Sequence, residues 1–133
     1  MKKILSALLL CVFVVGAHAQ TANTTVVTNL SVERFNALIG SDKAGVIIDL
    51  RTPDEIAKGF IKGATFLDWL AKDNEAQVAK LDKNKTYYIY CAAGGRSGDC
   101  AAYMEKHGFK RVYNLEKGFS DWKKKGMPIE MNK

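Results

Sequence analysis

The chain has 133 residues, 47% of them apolar and 26% charged, with 11 Gly, 2 Pro and 3 Cys. That composition excludes a collagen, a disordered tail and a dense disulfide scaffold, and suits one globular domain. The formal charge of +6 is modest. Lys2 and Lys3 precede a run of 12 residues, 4–15, apolar except for Ser6, which is followed by Gly16 and the triplet Ala17-His18-Ala19. A cationic start, a short apolar middle and an A-x-A end make a secretory signal peptide. The run is shorter than the roughly 20 residues a helix needs to span a bilayer. Bulky Leu10 before Cys11 argues against a lipid anchor there.

Cleavage after Ala19 therefore defines segment 1–19 as leader and 20–133 as the folded domain, an exported protein expected in the periplasm. Loss of the leader, which carries no acid, lowers the charge to +4 and leaves 114 residues. It also leaves Cys91, Cys100 and His107 as the remaining thiols and imidazole. A lone histidine excludes a His-rich zinc site and makes a Ser-His-Asp triad a poor fit. A chain of this length buries a core without cross-links.

Strand and helix patterns alternate along 20–133. Residues 25–28 are rich in β-branched side chains and predict the first strand. Ser31 caps a helix with Phe35, Leu38 and Ile39 on one side, closed by Gly40. Residues 46–48 are continuously apolar, as a strand buried on both faces requires, and end in Asp49. Thr52-Pro53-Asp54-Glu55 is a capping box with Pro at the first helical position. A brief strand is expected at 64–66 and a helix at 75–81. Residues 86–90 form the clearest strand, all five being β-branched or aromatic. A glycine-rich loop, a helix over 97–107 ended by Gly108, a strand at 111–114 and a last helix carrying Phe119 and Trp122 complete the pattern.

Strands separated by helices predict an α/β fold with a parallel sheet. Ligands of such sheets bind beyond the carboxyl ends of the strands. Two features fall there: Asp49-Leu50-Arg51, and the segment Cys91-Ala92-Ala93-Gly94-Gly95-Arg96-Ser97. Small residues entering a helix let successive N–H groups turn inward as an anion nest. The helix start adds partial positive charge and Arg96 a full one with a planar donor fork. All three favour a thiolate at Cys91, so Cys91 is the candidate nucleophile.

This loop resembles the active-site loop of rhodanese-type sulfurtransferases, Cys-x-x-Gly-x-Arg-Ser/Thr. The likeness extends over nearly all of 20–133. Ile48-Asp49-Leu50-Arg51 with Glu55, and Gly59-Phe60-Ile61-Lys62-Gly63-Ala64, are similar to the family's first signature. Val112-Tyr113-Asn114-Leu115 with Gly118-Phe119, Trp122, Gly126 and Pro128 resembles its C-terminal one. Phe60 stands where the family usually has His, and Lys62 where it often has Pro.

The resemblance implies a rhodanese-like domain with about five parallel strands and helices on both faces. It also implies sulfane-sulfur transfer from a small anionic donor such as thiosulfate to a thiol or cyanide acceptor, or to an acceptor protein. Cys91 would carry a persulfide, the N–H groups of Ala92, Ala93, Gly94, Gly95, Arg96 and Ser97 would cradle it, and Arg96 would bind the donor. Asp49 and Arg51 would brace the loop through hydrogen bonds. No cofactor and no metal enter this chemistry. Related phosphatases and arsenate reductases use a loop one residue longer. The four residues between Cys91 and Arg96 make a tighter ring suited to one sulfur atom. Those enzymes, and a silent interaction module of the same fold, are the alternatives.

Cys100 lies among Ala101, Ala102 and Met104 and reads as a small core residue. A Cys91–Cys100 disulfide would need Cα atoms within about 7 Å. Lys123-Lys124-Lys125 reads as a solvated helix end; without interleaved aromatic platforms it is no nucleic-acid surface. Trp69, Trp122, Phe66 and Phe119 read as core or rim packing.

Overall fold

A computed structural model describes residues 24–131 together with Gly16. The expected leader 1–19 lies outside the described residues apart from Gly16. Ten elements follow in order: β1 Val26–Leu30, α1 Val32–Ser41, β2 Val46–Asp49, α2 Pro53–Ile56, β3 Thr65–Phe66, α3 Asn74–Ala79, β4 Thr86–Tyr90, α4 Gly95–Lys106, β5 Arg111–Leu115 and α5 Gly118–Lys124. The five strands form one sheet in the order β1-β5-β4-β2-β3, and every pairing is parallel. The α/β architecture expected from the alternating pattern is present.

β4 is the middle strand, and its side chains alternate between two cores as a pleated strand must. Tyr87 and Ile89 enter a cluster with Ile48, Val78, Cys100, Met104 and Phe109. Tyr88 and Tyr90 enter the opposite one with Phe35, Ile61, Phe119 and Trp122. Residues of α3 and α4 thus cover one face of the sheet, and residues of α1 and α5 the other. Tyr87, Tyr88, Ile89 and Tyr90 are all at most 2% exposed, which is why the strand reads as continuously apolar.

Element boundaries differ from expectation where local hydrogen bonds intervene. Helix α1 passes through Gly40 and stops at Asp42, whose extended backbone leaves the helix while its N–H still donates to Leu38 O at 2.8 Å. Asp42 Oδ1 then accepts from the N–H groups of Ala44 and Gly45, making the turn that Gly40 was expected to make. Helix α4 begins at Gly95 rather than Ser97, because the Gly94 carbonyl already accepts from Gly98 N–H at 2.9 Å. Arg96 and Ser97 therefore belong to its first turn. Phe66, half-exposed on the edge strand β3, packs at the rim, its ring edge-on to Phe60 with centroids 5.0 Å apart.

Candidate active site

Cys91 follows directly on β4, at the carboxyl edge of the sheet's middle strand. Its backbone is held from three sides. The preceding Tyr90 carbonyl accepts from Leu50 N–H at 2.9 Å, the Cys91 carbonyl from Phe119 N–H at 2.8 Å, and the Ala92 carbonyl from Ser120 N–H at 2.9 Å. The start of α5 thus grips the start of the loop. Two glycines make the close approach possible. Gly94 caps α4 in the left-handed region, φ 104°, where a Cβ would collide with the Glu116 carbonyl. Gly118, φ 65°, would place a Cβ 2.5 Å from the Ala92 carbonyl oxygen.

The loop turns its donors onto the sulfur. Gly94 N–H donates to Cys91 Sγ at 3.1 Å, and the Ser97 hydroxyl oxygen lies 3.4 Å from Sγ. The same hydroxyl is 3.3 Å from the Gly94 carbonyl. With a thiol, Cys91 donates to Ser97 Oγ while the hydroxyl donates to Gly94 O. With a thiolate, the one hydroxyl proton can turn to the sulfur instead. Cys91 is 1% exposed, and that burial by itself opposes ionisation. The Ser97 hydroxyl and the N–H groups of Ser97, Gly94 and Ala93 outweigh it, so the Cys91 pKa lies below its ordinary value.

Cys100 shows the contrast. It is equally buried but lacks such donors, and burial pushes its thiol up to about 12. Both cysteines are free thiols, so the disulfide alternative is not formed. Cys100 packs in the core as expected.

Arg96 was expected to bind the donor. In the structure its Nη1 and Nη2 donate to Glu55 Oε2 and Oε1 at 2.7 and 2.8 Å, a two-pronged ion pair across 41 positions of sequence. Glu55 Oε2 also accepts from Thr52 N–H and Thr52 Oγ1, both at 2.9 Å. The Arg96 hydrogen bond leads the causes that hold the Glu55 carboxyl down at about 2. Glu55 is therefore the site residue missed as such: its capping role fully explained it in the sequence. The missing signal was spatial. β2 pairs with β4, with Asp49 opposite Tyr90, so the turn after β2 lies beside the loop after β4.

Asp49 and Arg51 are a fully buried pair, Nη2 to Oδ2 at 2.6 Å, with the Arg51 N–H and Nε also donating to the carboxylate. The remaining Arg51 donors reach Gly59 O at 2.7 Å and Glu55 O at 3.4 Å, not residues 91–97. The guanidinium lies 4.0 Å from the Phe119 ring centroid, and Phe119 N–H in turn binds Cys91 O. The pair steadies the neighbouring turn and reaches the loop indirectly, through Phe119 and through Glu55. Ala92, Ala93 and Gly95 lie along the loop as expected, and Gly95 has open space around it.

A cavity of about 540 Å³ lies over β2, β3 and β4 beside α3 and includes no residue of 91–97. A smaller one of about 140 Å³ opens against the loop, between Ala92, Glu55, Arg51, Lys58, Phe119 and Lys123. Among the described residues, no three His, Cys, Asp or Glu side chains converge as metal ligands, and no helix is long and apolar enough to cross a membrane.

Comparison with known proteins gives the family and the fold. The rhodanese-like domain family model matches residues 31–125. A sulfurtransferase of Allochromatium vinosum is 31% identical over 103 residues, covering 77% of this chain and 94% of that protein. YrkF of Bacillus subtilis is 32% identical over 107 residues, and the chain spans only 57% of its length. The tRNA uridine(34) hydroxylase of Buchnera aphidicola is 35% identical over 107 residues, and the chain spans only 32% of its length. Among solved structures, a rhodanese-like domain protein of Staphylococcus aureus superposes with a TM-score of 0.67 at 28% identity, covering 80% of this chain and 99% of that one.

Proposed function

The chain belongs to the rhodanese-like domain family, and on that premise we propose that it transfers sulfane sulfur through a Cys91 persulfide. Its sulfurtransferase relatives support sulfur transfer in general. The finer reading rests on one observation: the Cys91 sulfur faces the Gly94 N–H at 3.1 Å and the Ser97 hydroxyl at 3.4 Å, inside a loop with four residues between Cys and Arg.

The Cys91 thiolate attacks the outer sulfur of thiosulfate. The new Cys91 S–S bond forms as the donor's own S–S bond breaks, and sulfite leaves with the bonding electron pair. The terminal sulfur of the persulfide carries the negative charge, which the loop's N–H groups and the α4 N-terminus stabilise. A thiolate or cyanide then attacks that terminal sulfur, and Cys91 departs as thiolate. One difficult transfer becomes two easier ones, as in other covalent catalysis. Arg96 stands in the first turn of α4 with its Nη1 and Nη2 held by Glu55.

Mass spectrometry after incubation with thiosulfate tests this. One added sulfur atom on the peptide containing Cys91, absent in Cys91→Ser and removed by cyanide, is the expected result. Phosphatase or arsenate-reducing activity without a persulfide overturns it. We also assign the reaction to an exported protein, on the leader-like segment 1–19. A mature N-terminus at Gln20 in a periplasmic fraction checks this, and an uncleaved cytoplasmic chain refutes it.

A further inference from the structure

The small cavity beside the loop is strongly cationic once its internal pairs are counted. Glu55 contributes a carboxylate to its wall, but both oxygens are engaged by Arg96. Arg51 contributes a guanidinium, but Asp49 neutralises it at 2.6 Å. What remains is Lys58, just past α2, and Lys123, on α5. Both are exposed, and neither forms an ion pair with a carboxylate among the described residues. Lys123 is steered inward, its Nζ 5.5 Å from the Phe119 ring centroid. Phe119 and Ala92 form the floor, and the peptide following the nucleophile is thus a wall of the cavity.

We propose that Lys58 and Lys123 form the anion subsite that holds the charged end of a small sulfur-bearing substrate while its sulfur reacts at Cys91. This deepens the sulfur-transfer reading and rests on it. A dianion such as thiosulfate is drawn to uncompensated cations near the loop, and the charge of Arg96 is already paired with Glu55. About 140 Å³ accommodates a sulfonate-sized group and little more. The same chemistry serves a thiosulfonate donor or a carboxylate-bearing thiol acceptor, and the two half-reactions separate them.

The test compares the protein with its Lys58→Gln/Lys123→Gln variant. For loading, persulfide formation is followed against thiosulfate concentration. For discharge, the preloaded protein is mixed with a carboxylate-bearing thiol and, separately, with neutral 2-mercaptoethanol. If the subsite serves the donor, the variant raises the thiosulfate KM roughly tenfold, about what two partly screened charge contacts supply. Its kcat holds, and the difference shrinks in high salt. If it serves the acceptor, only discharge by the charged thiol slows. No change in either arm overturns the proposal. So does an equal effect from Lys106→Gln/Lys110→Gln, which removes the same charge near the far end of α4, because a diffuse field would then suffice. Binding of sulfite to Cys91→Ser, followed by the amide resonances of Phe119 and Ser120, needs no transfer. Saturable shifts that vanish in the lysine variant support the subsite. Their absence overturns it even where sulfur transfer is intact, and their presence without any persulfide overturns the transfer reading alone.

Discussion

Replacing Glu55 by Gln isolates the charge of the Arg96 clamp, because Gln is the other residue that completes a capping box and the cap to Thr52 survives. With a folded pKa of about 2 against an ordinary 4.5, the ionised carboxylate favours the folded state by at most about 3 kcal/mol. Glu55 is 33% exposed and Arg96 21%, so solvent screening reduces this to roughly 1–2 kcal/mol. A depressed carboxylate pKa stabilises above the unfolded value and loses that contribution as pH falls through the folded one. Glu55→Gln should therefore lower the unfolding free energy by about 1–2 kcal/mol at pH 7. The gap to wild type should close between about pH 5 and pH 2. Urea denaturation of both proteins across that range reads the gap directly. Loss of the nearby negative charge should also move the pH profile of Cys91 alkylation downward. A destabilisation that is as large at pH 2 as at pH 7 would refute the electrostatic account and point to packing at the cap.

Other substitutions probe the loop and its supports. Gly94→Ala forces a Cβ into the Glu116 carbonyl at φ 104° and should cost at least about 2 kcal/mol in urea unfolding. Gly95→Ala, with open space and no positive φ, should change stability by less than about 1 kcal/mol. Ser97→Ala removes the hydroxyl that favours the thiolate, so the iodoacetamide reactivity of Cys91 should shift to higher pH; an unshifted profile assigns the effect to backbone N–H groups alone. Asp49→Asn strands the Arg51 cation, itself 4% exposed, and should cost about 3–5 kcal/mol, measured by denaturant unfolding.

The strand–loop–helix around Cys91 was legible in the sequence because every signal it uses is short-range. Thr86–Tyr90 announces a buried strand by composition, the small residues 92–95 allow N–H groups to converge, and Ser97 follows within one turn. The same holds for the Thr52–Glu55 cap, which the structure forms in full. Boundaries were less legible: Gly40 looked like a helix stop, yet the Asp42 side chain made the turn two residues later.

Partner choice among charges was not legible at all. Four arginines and many carboxylates offer numerous pairings, and each local pattern near Glu55 and Arg51 already had a sufficient explanation. Only the strand order, which sets β2 against β4, brings Glu55 to Arg96 and leaves Arg51 facing Gly59 O and Phe119 rather than the loop. By itself the sequence determined the strand–loop–helix around Cys91, the N–H-rich turn after it and the α/β class, because backbone propensity and turn chemistry act over a few residues. The tertiary structure alone decided which cations are spent on internal carboxylates and which stay free at the cavity. That distribution depends on contacts tens of residues apart in the chain.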